Sequence, residues 1–474
     1  MMRSRFDSRL AVALGGLTCS LVAFACGDDG GGGNDSVAST GVATSTTGDD
    51  TATPGTDAPT PMTGDELGCP EGTLDCPCTD GNACDPGLVC DGSTCVPEPG
   101  DDTTSTTGDT EGTDDETGDL PAACGNGIAE PGELCYGDVS FFGGPTQAMF
   151  ATFADLDGDE HLDLLIAATQ DDELLVRLGD GTGDLGPASS FPAGQSPIAL
   201  GVGLFDDNEV LDVVVAQNQG NAIAVLIGDG AGSLAPPLEF TVGTGPTALT
   251  VTDFNDDDSP DVLVTSGGNN TVTYLEGTGF GFAPGIPFGV GSNPSDLFVG
   301  RLTDDANLDV VVTNRNSNTI GLLLGTGLAQ LGSQTTINTG VTPSSLEVAD
   351  FNGDDNLDIV TANLATDDLR LRYGDGTGGF GGDIPFPVAA DPHALHAADF
   401  DGDGNTDLAM ANAGADRVTV MLGTGDGLFE PAQEFPVGDL PQAIAVGDLN
   451  EDGILDIVAV DGADSTLAVL LSDA

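Results

Sequence analysis

The stretch "DFDGDGNTD" (residues 399–407) places Asp399, Asp401, Asp403 and Asp407 within nine residues. Carboxylates this close repel one another unless something positive sits among them. Two glycines and Asn405 let the backbone curl tightly enough to bring the oxygens together. The pattern suits a hard divalent cation in an all-oxygen cage, and calcium fits a flexible cage of this kind best. It is not a helix–loop–helix calcium site. A bidentate Glu would be due at loop position 12, where Met410 stands, and "DLAMANAG" (407–414) is a short apolar run with little helical character. The loop leads into a strand.

The same loop recurs as "DLDGDEHLD" (155–163), "DFNDDDSPD" (253–261), "DFNGDDNLD" (350–358) and "DLNEDGILD" (448–456). Two decayed copies, "LFDDNEVLD" (204–212) and "RLTDDANLD" (301–309), fill the gaps. The closing residues Asp163, Asp212, Asp261, Asp309, Asp358, Asp407 and Asp456 are 48 or 49 residues apart, so the repeat is seven-fold. In six units a proline (Pro197, Pro246, Pro294, Pro343, Pro392, Pro441) precedes a short strand, then the acidic loop, then an apolar strand such as "DVVVAQN". Sixteen residues after the closing Asp stands a glycine (Gly179, Gly228, Gly277, Gly325, Gly374, Gly423), ending a third strand; Ser472 takes that slot in the last unit. A glycine-rich turn leads to a fourth strand around "FTVG" or "FPVG". Four short strands per unit, often apolar on both faces, predict an all-β, seven-bladed propeller over 137–474. The last unit lacks its fourth strand, and "VSFFGGP" (139–145) looks like the missing piece, so the first strand of the domain is expected to close the ring.

The loop together with "LGTGDGLF" (422–429) resembles the FG-GAP or VCBS repeat of integrin-alpha-type seven-bladed propellers. In that family the loop between the first two strands of a blade binds calcium. Loop positions 1, 3, 5 and 9 would supply side-chain oxygens and position 7 a backbone carbonyl. The expected ligand sets are Asp155, Asp157, Asp159, Asp163 with His161; Asp253, Asn255, Asp257, Asp261 with Ser259; and Asp350, Asn352, Asp354, Asp358 with Asn356. The remaining two are Asp399, Asp401, Asp403, Asp407 with Asn405, and Asp448, Asn450, Asp452, Asp456 with Ile454. Leu204 removes the first ligand of one degenerate loop. In the other, Arg301 takes position 1, where it reads as an internal cation standing in for the ion, and Thr303 replaces the ligand at position 3. About five calcium ions follow, with the loop at 399 the tightest.

Charge narrows the function. The formal net charge is −69; the chain has no lysine, and Arg3, Arg5 and Arg9 sit at its N-terminus. Such a chain has no basic patch for nucleic acid and no electrostatic attraction to anionic lipid. Basic "MMRSRFDSR" before apolar "LAVALGGLTCSLVAFA" reads as an export signal over 1–25. In "AFAC" (23–26), Ala23 and Ala25 also satisfy ordinary signal peptidase, but nine cysteines would remain after cleavage. Lipidating Cys26 leaves an even eight, so the chain reads as a lipoprotein of the outer membrane or cell surface, with plain secretion as the alternative. Residues 26–68 read as a disordered tether and 97–120 as a second, acidic linker. Between them, Cys69, Cys76, Cys78, Cys84, Cys90 and Cys95 in a module of 69–96 predict three disulfides of undetermined connectivity. Cys124 and Cys135 flank a turn-rich segment within 121–136, read as a disulfide-clipped hairpin that resembles a small cysteine-rich repeat of bacterial surface proteins.

No Ser-His-Asp ordering, paired glutamate motif or phosphate-cradling loop is present, and no catalytic residue is assigned. His393 and His396 should lie where blade 6 approaches the central channel. The expectation is a monomeric, non-enzymatic, calcium-stabilised adhesion or binding module, lipid-anchored, for a protein or glycan. The alternatives are a calcium-dependent propeller enzyme of the polysaccharide lyase or phosphoesterase type, and a structural envelope component.

Overall fold

A computed structural model describes residues 139–472 except 207 and 464, together with Leu134, Tyr136, Gly137 and two short strands, Leu88–Cys90 and Cys95–Pro97. The signal, the tether, the acidic linker and Cys26, Cys69, Cys76, Cys78, Cys84, Cys124 and Cys135 lie outside the described residues. The strands at 88–90 and 95–97 form an antiparallel pair that sets Cys90 opposite Cys95.

Residues 140–470 form seven four-stranded antiparallel sheets, each a meander. Blade 1 consists of Ala148–Ala154, Asp163–Ala168, Glu173–Arg177 and Ser189–Pro192. Blades 2 to 6 repeat this order from Pro197, Pro246, Pro294, Pro343 and Pro392. Blade 7 takes Pro441–Gly447, Asp456–Asp461 and Thr466–Leu470 from the C-terminal end, and Ser140–Gly143 supplies its outer strand. Phe142 pairs with Leu467 and Ser140 with Val469, so the ring closes between the two ends of the domain, as the repeat count requires.

The first strand of each blade packs against the first strands of both neighbours, forming the inner ring. The strand begins at the proline itself, with Ala148 in that slot in blade 1, and in all seven a register shift follows the first residue. Proline has no N–H to give the ladder, which fits its place at a strand start. The outer strands begin about two residues earlier than the sequence suggests: Leu238–Thr241 and Gln433–Pro436 precede the glycine of "FTVG" and "FPVG". Every second strand is wholly buried, for instance Asp212–Gln217 and Asp309–Asn314. Most outer strands bury little, so the run of valine, leucine and alanine in the middle of each unit is what the fold sequesters.

The apolar core is divided among the seams between blades. One cluster joins blades 1 and 2 through Leu165, Val176, Val213 and Leu226; its counterpart between blades 7 and 1 uses Ile166, Leu185, Val458 and Val469. Arginines fasten the outer rim at two seams. Arg177 donates to Gly186 O at 2.7 Å and to Gly143 O of the closing strand. Arg372 does the same between blades 4 and 5, reaching Gly382 O at 2.8 Å and Asn338 O at 2.5 Å.

Candidate metal-binding loops and the aspartate clasp

All seven acidic loops and the turns between third and outer strands emerge on one face. The closing Asp starts each second strand and is fully buried. Its two oxygens do the same work in every blade. Oδ2 accepts the N–H of loop position 2: Leu156 at 2.8 Å, Phe205 at 2.8 Å, Phe254 at 2.9 Å, Leu302 at 3.0 Å, Phe351 at 3.1 Å, Phe400 at 2.8 Å and Leu449 at 2.7 Å. Oδ1 accepts the N–H sixteen residues on, from Gly179, Gly228, Gly277, Gly325, Gly374, Gly423 and Ser472, at 2.6–3.0 Å. This clasp explains the glycine spacing. A Cβ on Gly374 would stand 2.1 Å from Leu357 O, and on Gly228 2.2 Å from Leu211 O. Burial pushes the closing carboxyls up, to about 6 in Asp163, Asp261 and Asp358 and to about 7 in Asp407, against the downward pull of the two main-chain bonds.

The rest of each loop is folded around position 1. Asp155 accepts from Gly158, Asp159 and Glu160 N–H at 2.7, 3.1 and 3.2 Å, and Asp350 from Gly353, Asp354 and Asp355 at 2.8, 3.3 and 2.8 Å. Asp253, Asp399 and Asp448 take the position-6 N–H in the same way, at 2.8, 3.0 and 2.9 Å. Position 5 accepts the N–H of position 7: His161, Ser259, Asn356, Asn405 and Ile454 donate to Asp159, Asp257, Asp354, Asp403 and Asp452 at 2.7–3.0 Å. The chain therefore coils with its carboxylates turned inward. In blades 1 and 6 the acids at positions 1, 3 and 5 bring ligand oxygens within 4.8 Å of one another: Asp155, Asp157, Asp159 and Asp399, Asp401, Asp403. Burial, with Asp403 and Asp399 beside it, raises the Asp401 carboxyl; Asp157 is raised by burial and then by Asp159.

Blades 3, 5 and 7 carry an amide at position 3. Asn255 and Asn450 donate to Asp257 and Asp452 at 2.9 and 3.1 Å. The Asn255 Oδ1 is out of solvent and has no donor, as a cation ligand awaiting its ion would be. Asn352 donates its N–H to Asp350 at 3.1 Å. These donors are hard oxygens on a tight turn, and the set fits calcium. Positions 4 and 6 take positive φ throughout these five loops. Blade 6 fills both with glycine (Gly402 at 72° and Gly404 at 89°), whereas blade 3 uses Asp256 at 59° and Asp258 at 67°. Left-handed backbone costs a non-glycine residue about 1 kcal/mol, so the blade 6 loop is the least strained.

The degenerate loops keep the clasp and lose the cage. In blade 2, Leu204 leaves Asp206, which accepts the Asn208 N–H at 2.9 Å. In blade 4, Thr303 Oγ1 donates to Asp309 at 3.4 Å, and Asp304 N–H reaches Gly376 O of blade 5 at 3.1 Å. Arg301 is exposed and has neither ion pair nor hydrogen bond to these carboxylates, which corrects its reading as an ion substitute. The backbone pairing of Thr303 with Thr377 holds this loop down instead.

Several residues escape a reading by motif. Nine residues past each closing Asp stands a left-handed Asp172, Asn221, Asn270, Asn318, Asp367, Asp416 or Ser465. The first six accept the N–H that precedes the next inner strand, from Ser196, Gly245, Asn293, Thr342, Asp391 and Leu440, at 2.7–3.1 Å. Their regular spacing was the available signal. The His161 side chain pairs with Glu451 of blade 7 at 2.5 Å, which raises its pKa. In the inner ring, Asp296 of blade 4 accepts from Ser345 Oγ at 2.9 Å and Leu346 N–H at 3.0 Å, and burial lifts it to about 6. Beside it, Glu347 of blade 5 is pushed well up by burial and by Asp296, and lies 3.7 Å from His396 Nδ1 of blade 6. His393 and His396 both sit within the inner strand of blade 6, Pro392–Ala398.

The sequence matches the FG-GAP-like repeat family over 205–264, 301–361, 357–410 and 399–459, which covers acidic loops of blades 2 to 7. No curated protein matches it. Among solved structures the chain is similar to BBS1N in complex with ARL6DN, at 17% identity over 71% of this chain and 97% of that one, with a TM-score of 0.52. It is similar also to virginiamycin B lyase from Staphylococcus aureus, at 16% identity over 70% and 99%, TM-score 0.50. A third is hydrazine synthase from Kuenenia stuttgartiensis, at 11% identity over 69% and 96%, TM-score 0.51. At these identities the likeness is one of fold. The chain is a seven-bladed β-propeller that carries FG-GAP-like repeats.

Proposed function

We propose that this propeller is a calcium-stabilised binding module, exported and anchored through Cys26, that engages a protein partner without chemical turnover. The observation that carries calcium is the pair of three-carboxylate cages at Asp155–Asp159 and Asp399–Asp403, pre-folded by main-chain bonds, with no arginine among the described residues paired to them and no lysine in the chain. The bound ion would supply positive charge and cross-link the loop; Asp399, Asp401, Asp403 and Asp407 would hold it in blade 6. Protein is favoured over glycan because the chain has no tryptophan, and Tyr136 and Tyr274 are buried at 7% and 2% exposure. BBS1N, which shares the fold, is held in a complex with ARL6DN, and this supports protein binding as a use of the fold.

The test is calcium stoichiometry and thermal melting of the full chain, with and without chelator. About five ions and a melt that falls on chelation are expected. A melt indifferent to chelator would sink the calcium reading.

A second reading, as an enzyme, is favoured by Asp296, Glu347 and His396 in the inner ring. Half-buried carboxylates beside a histidine are the raw material of acid–base chemistry. The same carboxylates repel the anionic substrates of the lyase or phosphoesterase alternative. Turnover of an acidic polysaccharide or a phosphoester, lost in Glu347→Gln, would replace the binding reading.

A further inference from the structure

Blades 3 and 4 differ from the rest at one turn position. Three residues past the leading glycine, the turn between third and outer strands carries Thr182 in blade 1, Ala231 in blade 2, Thr377 in blade 5 and Asp426 in blade 6. In blades 3 and 4 the same position holds Phe280 and Leu328. Among the described residues these are the most exposed of the large apolar side chains, at 77% and 92%, against 57% for Phe141 next in order.

Their exposure is built into ordered turns. Gly277 is bridged to Phe282 and Gly325 to Leu331; Thr278 N–H donates to Gly281 O at 2.9 Å and Thr326 N–H to Gln330 O at 2.8 Å. Each turn tucks one apolar residue partly against the core and presents another. Phe282 packs edge-on to Phe205 and Phe240, and Leu331 joins the core between blades 3 and 4. Beside Leu328 a recess opens toward the blade 3 loop, lined by Phe254, Asn255, Asn307, Leu308 and Gly327. Paired apolar side chains held out on adjacent blades next to a recess mark an interaction surface.

The surrounding charge selects the occupant. Asp256, Asp257, Asp258, Glu276, Asp304 and Asp305 are all exposed, and Arg301 is the one cationic residue in these two loops and turns. Calcium in the blade 3 loop would leave Asp256 and Asp258 outside the ligand set. A second copy of this chain, at −69, is repelled. So is the chain's own acidic stretch "DDTTSTTGDTEGTDDETGD" (101–119). We propose that Phe280 and Leu328 form a docking surface for a basic segment of a partner protein, one that sets an apolar side chain between lysines or arginines. This rests on the binding-module reading and assigns its face.

The test uses the full chain in calcium and a synthetic peptide of leucines and phenylalanines spaced by lysines. Its counterpart has serine at every apolar position and the same charge. The chain is compared as wild type, as Phe280→Ser/Leu328→Ser, and as Phe141→Ser/Leu238→Ser, which removes exposed apolar side chains from outer strands instead. All four positions of the comparison are surface sites, so unchanged melting is the control for folding. The expected result is binding roughly tenfold weaker or more in the first variant alone. It should come with hydrogen-exchange protection of 277–283 and 325–331. Equal binding of the serine peptide would show diffuse charge attraction and overturn the proposal. Protection on another face, unchanged by Phe280→Ser/Leu328→Ser, would overturn this surface while leaving the binding module standing. Concentration-dependent self-association abolished by that variant would put a second copy in the partner's place, and would overturn it too.

Discussion

The loops of blade 6 and blade 4 end on the same aspartate and share almost nothing else. In blade 6, Asp407 closes a coil of three further acids eased by Gly402 and Gly404. In blade 4, Asp309 closes a loop that begins with an unpaired arginine and has no cage. Yet Asp309 accepts Leu302 N–H at 3.0 Å and Gly325 N–H at 2.7 Å, as Asp407 accepts Phe400 at 2.8 Å and Gly423 at 2.6 Å. The repeat thus contains two devices laid over one another. The clasp fastens the second strand to the loop and to the end of the third, and occurs in all seven blades. The three-carboxylate cage is gathered in blades 1 and 6, the same loop pattern with an amide at position 3 recurs in blades 3, 5 and 7, and the clasp does not depend on either.

The strongest way to break this comparison is Asp309→Ala. It would strand two buried N–H groups in a blade whose loop lacks the cage, and should cost about 3–5 kcal/mol whether or not calcium is present. Denaturant unfolding with and without chelator measures this; a cost that vanishes on chelation would make the clasp an ion effect after all. Next, Asp401→Ala should remove one ion from the measured stoichiometry and lower stability by about 1–3 kcal/mol in calcium, with little effect in chelator. The same change at Asp305 in blade 4 should leave the stoichiometry alone.

A smaller effect concerns pH. The Asp296 carboxyl, held up to about 6 by burial, binds its proton more tightly in the folded state than in the unfolded chain. Acidification through that value therefore favours folding, and the contribution is lost as pH rises past it, with a cost of about 1–3 kcal/mol when fully ionised. Asp296→Asn should flatten the stability profile between roughly pH 4 and 6 in calcium-free buffer. Identical slopes in variant and wild type would remove Asp296 from the account. Smallest of all, Arg301→Ala should change stability by no more than about 0.5 kcal/mol, since the guanidinium pairs with nothing in its loop. A larger loss would restore the arginine as a stand-in for the ion.

Much of this was legible in the chain before any fold was drawn. The seven closing aspartates at intervals of 48 or 49 residues state the blade number, and "VSFFGGP" states how the ring closes, because a period-two strand pattern in a unit of fixed length leaves few ways to bury both faces. The acid spacing in "DFDGDGNTD" states the cage, because local backbone alone brings those oxygens together. What sequence could not decide were contacts between residues far apart in the chain. The meeting of Asp296, Ser345, Glu347 and His396 follows from the curvature of the inner ring, which stacks strands 49 residues apart side by side. The clasp hydrogen bonds were settled by the pairing of strands within each blade, and the lack of an ion pair to Arg301 among the described residues and the choice of turn residues left in water by the packing of blades against one another. Burial is a property of the neighbour as much as of the residue.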